Sequence, residues 1–173
     1  ELVKNPKHGR GKNMNPCIDC HSMMMNYAGE LLEKYEADFI ITGEVLNQRP
    51  MSQNRQALDI VKKESGFKDK ILRPLCAKNL QPTEMELNGL VDREKLMKIS
   101  GRSRKIQMAL AEEWGIKEYP SPAGGCRLTE PGYALRLKDL LGFNSTPNEN
   151  ELSLLRYGRH FRTKDNNKII DRK

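Results

Sequence analysis

Two short apolar runs, each preceded by a helical pattern, constrain the fold of this chain most strongly. Apolar residues recur at helical spacing over residues 16–36, and the run at 38–43 follows as a buried strand that ends in glycine. A second helix over 53–64 and a strand over 70–74, stopped by a proline, repeat this order. Helix, strand, helix, strand is typical of the α/β class, so we predict a partial parallel sheet with flanking helices.

The remainder of the chain is predicted to be helical and to end in a small basic appendage. Helical spacing predicts three further helices, over residues 92–98, 103–114 and 130–141. Thr146-Pro147 is predicted to cap another helix that runs to about residue 157, and a hairpin turns around residues 165–167. We therefore predict a domain over 1–145 and a helix–hairpin extension over 146–173.

The charge balance favours a polyanionic partner. The 173 residues include 30 Lys and Arg against 23 Asp and Glu, a formal net charge of +7. Such an excess suits RNA or DNA, although a well-solvated surface gives the same balance. No apolar run approaches the roughly 18 residues that span a membrane. Four unevenly spaced cysteines are unlike a secreted disulfide scaffold and favour a reducing, cytoplasmic location.

Two cysteines share the first turn of the first predicted helix, in the sequence Asn15-Pro16-Cys17-Ile18-Asp19-Cys20-His21. Asn15 is predicted to cap this helix and Pro16 to begin it, which puts the sulfurs of Cys17 and Cys20 on one face. The helix dipole and the free amides favour the thiolate, which is the nucleophilic and metal-binding form. Such thiols can carry sulfur, bind a metal or a cluster, or attach a haem. The alternative is two buried cysteines that act as small apolar side chains.

The metal-binding alternatives depend on which other ligands join this pair. The spacing Cys17-x-x-Cys20-His21 also fits haem attachment, but the predicted strands argue against that class of protein. A structural zinc ion needs four ligands, and Cys126 with either His21 or Cys76 could complete the set. Three cysteines could also hold an iron–sulfur cluster with one open iron. We interpret Cys76, which follows a buried strand, as structural.

Cys126 ends a loop rich in proline and glycine, Tyr119-Pro120-Ser121-Pro122-Ala123-Gly124-Gly125-Cys126. These prolines and glycines exclude regular structure, and the two glycines allow a partner to approach closely. Arg127 favours the thiolate of Cys126. The sequence therefore predicts a third functional thiol in this loop.

Two groups of cations are predicted to contact RNA: Arg102, Arg104 and Lys105, and, near the C-terminus, Arg159 and Arg162. The first group opens a predicted helix, whose N-terminus adds to the attraction for phosphate. Tyr157 and Phe161 lie among the C-terminal cations, and aromatic rings between cations suit RNA bases. A solvated surface is the alternative for both groups.

Three blocks of the sequence carry a resemblance to a known family: Cys20-His21-Ser22-Met23-Met24, residues 37–48 with Ser52-Gln53, and Ile71-Leu72-Arg73-Pro74-Leu75. These blocks resemble the PP-loop domain of tRNA 4-thiouridine synthetases. Asn15-Pro16-Cys17-Ile18-Asp19-Cys20 also resembles an element of tRNA 2-thiouridylases. The resemblance covers residues 13–128, and Thr42-Gly43-Glu44 is its most specific part.

This resemblance implies an adenine nucleotide α-hydrolase-like fold and a thiolation of uridine in tRNA that uses ATP and Mg. Such enzymes adenylate a uridine carbonyl oxygen, and sulfur from a cysteine persulfide or a cluster then displaces AMP. The implied sulfur-handling or cluster residues are Cys17, Cys20 and Cys126. The residues implied to lie near the nucleotide and the target base are Thr42, Gly43, Glu44 and Gln48. The implied partners are tRNA and a sulfur-donor protein.

The sequence departs from this family in one element, the Ser-Gly-Gly-x-Asp-Ser loop that cradles the ATP phosphates. The glycine-rich stretch at 8–12 lacks this pattern and follows no predicted strand. In the family that loop lies upstream, so we expect residues 1–145 to be the C-terminal part of such a domain. We also expect the chain alone not to hydrolyse ATP. Two other functions stay open: a non-catalytic RNA-binding module with a zinc or iron–sulfur site, and a PP-loop ligase that acts on a small molecule.

Overall fold

The structure, a computed structural model, describes residues 1–119 and 125–171 of a chain that forms two compact units. The first unit comprises residues 1–9 and 16–121, and the second comprises residues 10–15 and 122–173. Among the described residues, no helix has both the length and the apolar character needed to cross a membrane.

The first unit is a mixture of helices and short strands. Its helices are α1 (Cys17–Glu30), α2 (Arg55–Glu64), α3 (Glu84–Leu87) and α4 (Lys105–Glu113), and its strands are β1 (Ile40–Ile41) and β2 (Ile71–Leu72). The two strands pair in parallel, with Ile40 opposite Ile71. This confirms the α/β class and the parallel pairing. The described residues form no extended parallel sheet, since each of these strands has two residues.

Local sequence accounts for α2 and for the core beside it. The Asn54 side chain accepts a hydrogen bond from the Ala57 N–H (2.8 Å) and so satisfies a free amide of the first turn. Ala57, Leu58 and Val61 then share one face of α2, and all three are buried. The buried cluster around Leu58 consists of Val45, Leu46, Leu58, Cys76 and Ile99.

Tertiary hydrogen bonds overturn the predicted helix over 92–98, of which only a 3₁₀ turn at Arg93–Lys95 forms. The next residues run extended beside the segment after β2. Met97 donates its N–H to Pro74 O, and Ile99 donates to Leu75 O, each at 2.9 Å. The helix predicted from the spacing is therefore wrong here, because these backbone N–H groups donate to carbonyl oxygens outside their own segment.

α1 also departs from its prediction. It ends at Glu30 rather than at 36, and the chain then turns through Glu36, whose φ is 50°. Two of its apolar side chains, Met24 and Tyr27, are 45% and 63% exposed. The spacing therefore predicted the helix correctly, although these residues do not enter the core.

Gly29 lets α1 approach the segment after α2. A Cβ built at this position would overlap the ring of Phe67. We expect Gly29→Ala to lower the free energy of unfolding by about 1–3 kcal/mol, because overpacking outweighs the better helix propensity of alanine. Urea unfolding followed by circular dichroism measures this change, and an equal or higher stability would contradict the close packing.

The second unit combines two helices and a hairpin. Its elements are α5 (Pro131–Phe143), α6 (Glu149–Leu154), β3 (Arg159–Arg162) and β4 (Lys168–Asp171), with a 3₁₀ turn at Arg127–Thr129. β3 and β4 are antiparallel, and Asn166 in their turn has a φ of 62°, so the predicted hairpin is confirmed. α6 begins later than predicted. Asn148, not Thr146-Pro147, caps it through a reciprocal pair of hydrogen bonds with Glu151.

Asp139 of α5 joins that helix to the hairpin. Its carboxylate accepts hydrogen bonds from Arg162 and Lys168, at 2.7 and 2.8 Å between the nearest atoms. These two hydrogen bonds hold the pKa of Asp139 well below its usual range. α5 therefore belongs to the same compact unit as the hairpin.

A division into compact units does not test independent folding, so the domains predicted at 1–145 and 146–173 stay a prediction.

Candidate active site

The two thiols of the first unit lie on the first turn of α1. Pro16, rather than the predicted Asn15, occupies the N-cap position, so Cys17 is the first helical residue. Cys17 and Cys20 are both half-buried. Their spacing puts both sulfurs on one helix face.

A buried carboxylate ties this turn to the end of β1. Glu44 is 5% exposed, and its Oε1 lies 2.7 Å from His21 Nδ1. Its Oε2 accepts a hydrogen bond from Arg73 Nε–H at 2.8 Å. Arg73 is also 5% exposed, and its Nη2 donates a hydrogen bond to Leu58 O at 3.2 Å. The network fixes His21, four residues after Cys17 on the same helix face.

The partners of Glu44 decide its charge. Burial alone would raise the pKa of this carboxyl, but the hydrogen bond with His21 and the charge of Arg73 outweigh burial and hold the pKa below its ordinary value. Glu44 is therefore a buried carboxylate whose two oxygens both have hydrogen-bond partners within the protein. Its predicted contact with nucleotide or base stays a prediction.

Cys76 packs against the backbone of the same residue. It is fully buried, and its thiol donates a hydrogen bond to Glu44 O at 3.4 Å. Burial raises the pKa of this thiol, which keeps it in the protonated, donating form. These contacts support the interpretation of Cys76 as structural.

The loop at 47–53, beyond Thr42-Gly43-Glu44, contains buried polar atoms that lack partners. Asn47 donates its N–H to Gln53 O (2.7 Å), and Gln53 donates to Arg49 O (2.8 Å), which closes the loop on itself. Gln48 Nε2, Ser52 Oγ and Gln53 Oε1 are shielded from solvent, yet they have no hydrogen-bond partner among residues 1–119 and 125–171. Native proteins leave few such groups unsatisfied, so three in six residues set this loop apart as one whose polar groups the described residues do not satisfy.

Thr42 and Gly43 precede this loop in the sequence and differ in their exposure to solvent. Thr42 is buried, and its Oγ1 accepts a hydrogen bond from the Glu44 N–H at 3.2 Å. Gly43 is exposed, and a Cβ built on it would meet no atom within 4 Å. The exposed backbone of Gly43 is thus open to a partner at the carboxyl end of β1, where parallel sheets bind their ligands.

Cys126 belongs to the second unit, where it is exposed and directly precedes the 3₁₀ turn. Thr129 donates both its N–H (2.8 Å) and its hydroxyl (2.6 Å) to Cys126 O, which fixes the backbone at this thiol. The preceding residues of the predicted proline–glycine loop, 120–124, lie outside the described residues. The implied role of Cys126, as a sulfur-handling or cluster residue together with Cys17 and Cys20, stays a prediction.

Residues 3–82 match the family model described as Thiamine biosynthesis protein (ThiI). This ThiI-like segment contains the two thiols of α1, the Glu44 network and the loop at 47–53. The match indicates a role in sulfur modification of tRNA or in thiamine biosynthesis, and it supports the predicted relationship to tRNA thiouridylases. Neither a curated protein nor a solved structure matches the chain.

The predicted RNA-binding cations lie outside the ThiI-like segment. Arg104 is the N-cap of α4, and Arg102 and Lys105 beside it are exposed. Arg159 is exposed on β3, whereas Arg162 is held by Asp139 and stacks 3.5 Å from the ring centroid of Phe143. Their contact with RNA stays a prediction.

The first unit does not supply a complete metal site. Within residues 1–119 and 125–171, no group of three or more His, Cys, Asp or Glu side chains is placed to hold a metal ion. Cys17 and Cys20 are two of the four ligands that structural zinc requires, and His21 is engaged by Glu44. These residues alone therefore do not fit zinc or a cluster, and the metal set that adds Cys126 stays a prediction.

Three residues that the structure makes prominent had no predicted role: Arg73 beside Glu44, and Ser52 and Gln53 in the loop. His21 was predicted only as a possible zinc ligand, not as a partner of Glu44. Ser52-Gln53 and Arg73 do occur in the blocks that resemble thiouridine synthetases. That resemblance was the available signal, but it carried no information about which side chains are buried or unsatisfied.

Proposed function

We propose that the chain is part of an ATP-dependent sulfurtransferase that thiolates a uridine of tRNA. The observation that carries this proposal is the set of unpartnered polar atoms at 47–53, in the loop that follows the exposed Gly43 in the sequence. The similarity of residues 3–82 to the ThiI family and the two thiols on α1 support the same chemistry.

In this proposal the loop at 47–53 binds the nucleotide or the target base. Gln48 Nε2 and Ser52 Oγ can donate hydrogen bonds, and Gln53 Oε1 and Ser52 Oγ can accept them. A purine or a uracil carries both donors and acceptors on its edges, so it matches all three side chains. Because their polar atoms are shielded from solvent, the proposal requires the loop to open when the base binds. Glu44, with His21 and Arg73, positions the first turn of α1 without contacting the substrate.

The sulfur step needs two thiols. The uridine carbonyl oxygen attacks the α-phosphorus of ATP and releases pyrophosphate. The terminal sulfur of a persulfide on one cysteine attacks the activated carbon, and AMP leaves. A second cysteine thiolate then attacks the sulfur of the first, which releases thiouridine and leaves a disulfide. A sulfur-donor protein supplies the persulfide sulfur, and a thiol reductant returns two electrons to the disulfide.

We propose Cys17, Cys20 and Cys126 as the thiols of the reaction: one receives the persulfide sulfur from the donor protein and passes it on, one carries that sulfur to the uridine, and one attacks the carrier to form the disulfide. The resemblance to tRNA thiouridylases supports the inclusion of Cys126. In the second unit Met14 donates its N–H to Leu128 O (3.1 Å), and the Asn13 side chain donates to Thr129 O (2.7 Å), which orders the segment after Cys126.

Replacement of Ser52 tests the loop. Because Ser52 Oγ is buried without a partner, we expect Ser52→Ala to raise the free energy of unfolding by about 1 kcal/mol while it lowers the thiolation rate about tenfold. Urea unfolding of the purified chain and mass spectrometry of thiouridine in tRNA measure the two effects.

Ser65 provides the matched control, since it is equally buried but its hydroxyl has hydrogen-bond partners. Its hydroxyl donates to Lys62 O (2.8 Å) and accepts from the Phe67 N–H (3.1 Å). Ser65→Ala is expected to lose about 1 kcal/mol of stability and to keep its thiolation rate. A Ser52→Ala variant that behaves like Ser65→Ala would contradict the binding role of the loop.

The family description favours a second candidate, sulfur transfer for thiamine synthesis. A strain that lacks the gene separates the two functions. The proposal expects loss of thiouridine from tRNA and restoration by the natural protein. A strain that keeps all its thiouridine but requires thiamine for growth would favour the second candidate.

A further inference from the structure

The two faces of the β3–β4 hairpin differ in what they contact. On one face Arg162 pairs with Lys168, and both side chains bind Asp139 of α5. The Arg162 guanidinium also stacks on Phe143 of the same helix. The Arg162 and Lys168 side chains are thus bound to α5 and are only 20% and 19% exposed, whereas the Arg159 side chain of the other face is 65% exposed.

The outward face consists of Arg159, Phe161, Ile169 and Asp171. Phe161 lies opposite Ile169 across the two strands, and these side chains are 52% and 51% exposed. The Arg159 guanidinium lies 5.9 Å from the centre of the Phe161 ring and is bound to Asp171 at 2.5 Å. Asp171 therefore holds a cation beside an exposed aromatic ring.

The charges around this face favour RNA over a protein partner. Arg156 and Lys164, near the two ends of β3, are exposed. The described part of the second unit has ten Lys and Arg against six Asp and Glu. A protein that covered Phe161 and Ile169 would also desolvate these cations, and protein interfaces avoid charge at their cores. RNA offers a base to the ring and phosphates to the cations.

We propose that the outward face of the hairpin binds single-stranded RNA, with a base stacked on Phe161 and a neighbouring phosphate at Arg159. This inference rests on the proposed function, because it states how a tRNA substrate is held. Every base has an aromatic face, so this surface binds unpaired RNA with little sequence preference. The resemblance to thiouridine synthetases ends before the hairpin and assigns it no role.

Fluorescence anisotropy with a labelled oligouridine tests this inference on the full chain. We expect Phe161→Ala to weaken binding about tenfold or more, because the ring loses its stacked base. Phe161→Trp is expected to retain binding, since an indole offers a larger face. Arg159→Ala is expected to reduce the slope of log affinity against log salt by about one unit.

Tyr35 in the first unit provides a matched control. It is 67% exposed and has its own cation, with Lys34 Nζ 5.5 Å from the ring centre. Tyr35→Ala should bind oligouridine like the unchanged chain. An equal loss in Tyr35→Ala and Phe161→Ala would overturn the proposal, as would equal losses in the Ala and Trp variants of Phe161. Circular dichroism verifies that the hairpin variants fold.

Other outcomes point to other partners or separate this inference from the proposed function. A concentration-dependent dimer that Phe161→Ala abolishes, together with no oligouridine binding, would make the face a protein interface and overturn the proposal. The assay contains neither ATP nor a sulfur donor. A natural protein that binds oligouridine through Phe161 but restores no thiouridine to a strain that lacks the gene therefore contradicts the proposed function while it sustains this inference.

Discussion

Single replacement of Cys17, Cys20 or Cys126 by serine is expected to reduce thiouridine in tRNA at least about a thousandfold, to the level found in a strain that lacks the gene. Serine preserves the size of each side chain but cannot form a persulfide or a disulfide. The loss should therefore appear as an absence of product, with no matching change in the folding or abundance of the natural protein. Mass spectrometry of nucleosides from the complemented strain measures it.

Cys76→Ala provides the control for a cysteine without a chemical role. The thiol of Cys76 is buried and donates to Glu44 O, so its removal should cost stability and leave sulfur transfer intact. Unchanged thiouridine in all three serine variants would exclude cysteine-carried sulfur. Normal thiouridine in Cys126→Ser alone would remove the second unit from the reaction and leave the pair on α1 to act together.

Features set by neighbouring residues could be predicted from the sequence. The Cys-x-x-Cys pair lies on a helix start because Pro16 and the residues after it favour one locally. The hairpin forms at its predicted turn for the same reason, since Asn166 accepts a positive φ. The parallel pairing of β1 and β2 also follows from the order of apolar runs.

Features set by distant partners could not be predicted in this way. Glu44 lies 23 residues from His21 and 29 from Arg73, and no spacing rule connects them. The segment at 97–99 has helical spacing but pairs with Pro74 and Leu75, so tertiary hydrogen bonds override its local preference. The properties of the loop at 47–53 could not be predicted from the sequence either. Ser52 Oγ and Gln53 Oε1 lack hydrogen-bond partners among the described residues, and this is known only when their surroundings are known.

Glu44→Gln is expected to lower the free energy of unfolding by about 3–5 kcal/mol, because it leaves the Arg73 guanidinium buried without a counter-charge. Glu44 faces His21 and Arg73 with different oxygens, whereas glutamine has only one oxygen and presents an NH₂ group to the other partner. Urea unfolding at neutral pH measures the loss. The double variant Glu44→Leu with Arg73→Met should recover most of it, since an apolar pair of similar volume needs no charge compensation.

The pH dependence of stability gives an independent test of the same network. The pKa of Glu44 is held below its ordinary value in the folded chain, so the unfolded chain binds the proton more readily. Its contribution is complete at neutral pH, begins to decline as the pH falls toward about 4.3, and is lost as the pH passes through the lower, folded value. The difference in unfolding free energy between the unchanged chain and Glu44→Gln should therefore shrink on acidification. A difference that stays constant from neutral to acidic pH would show that Glu44 is not a buried carboxylate held by His21 and Arg73.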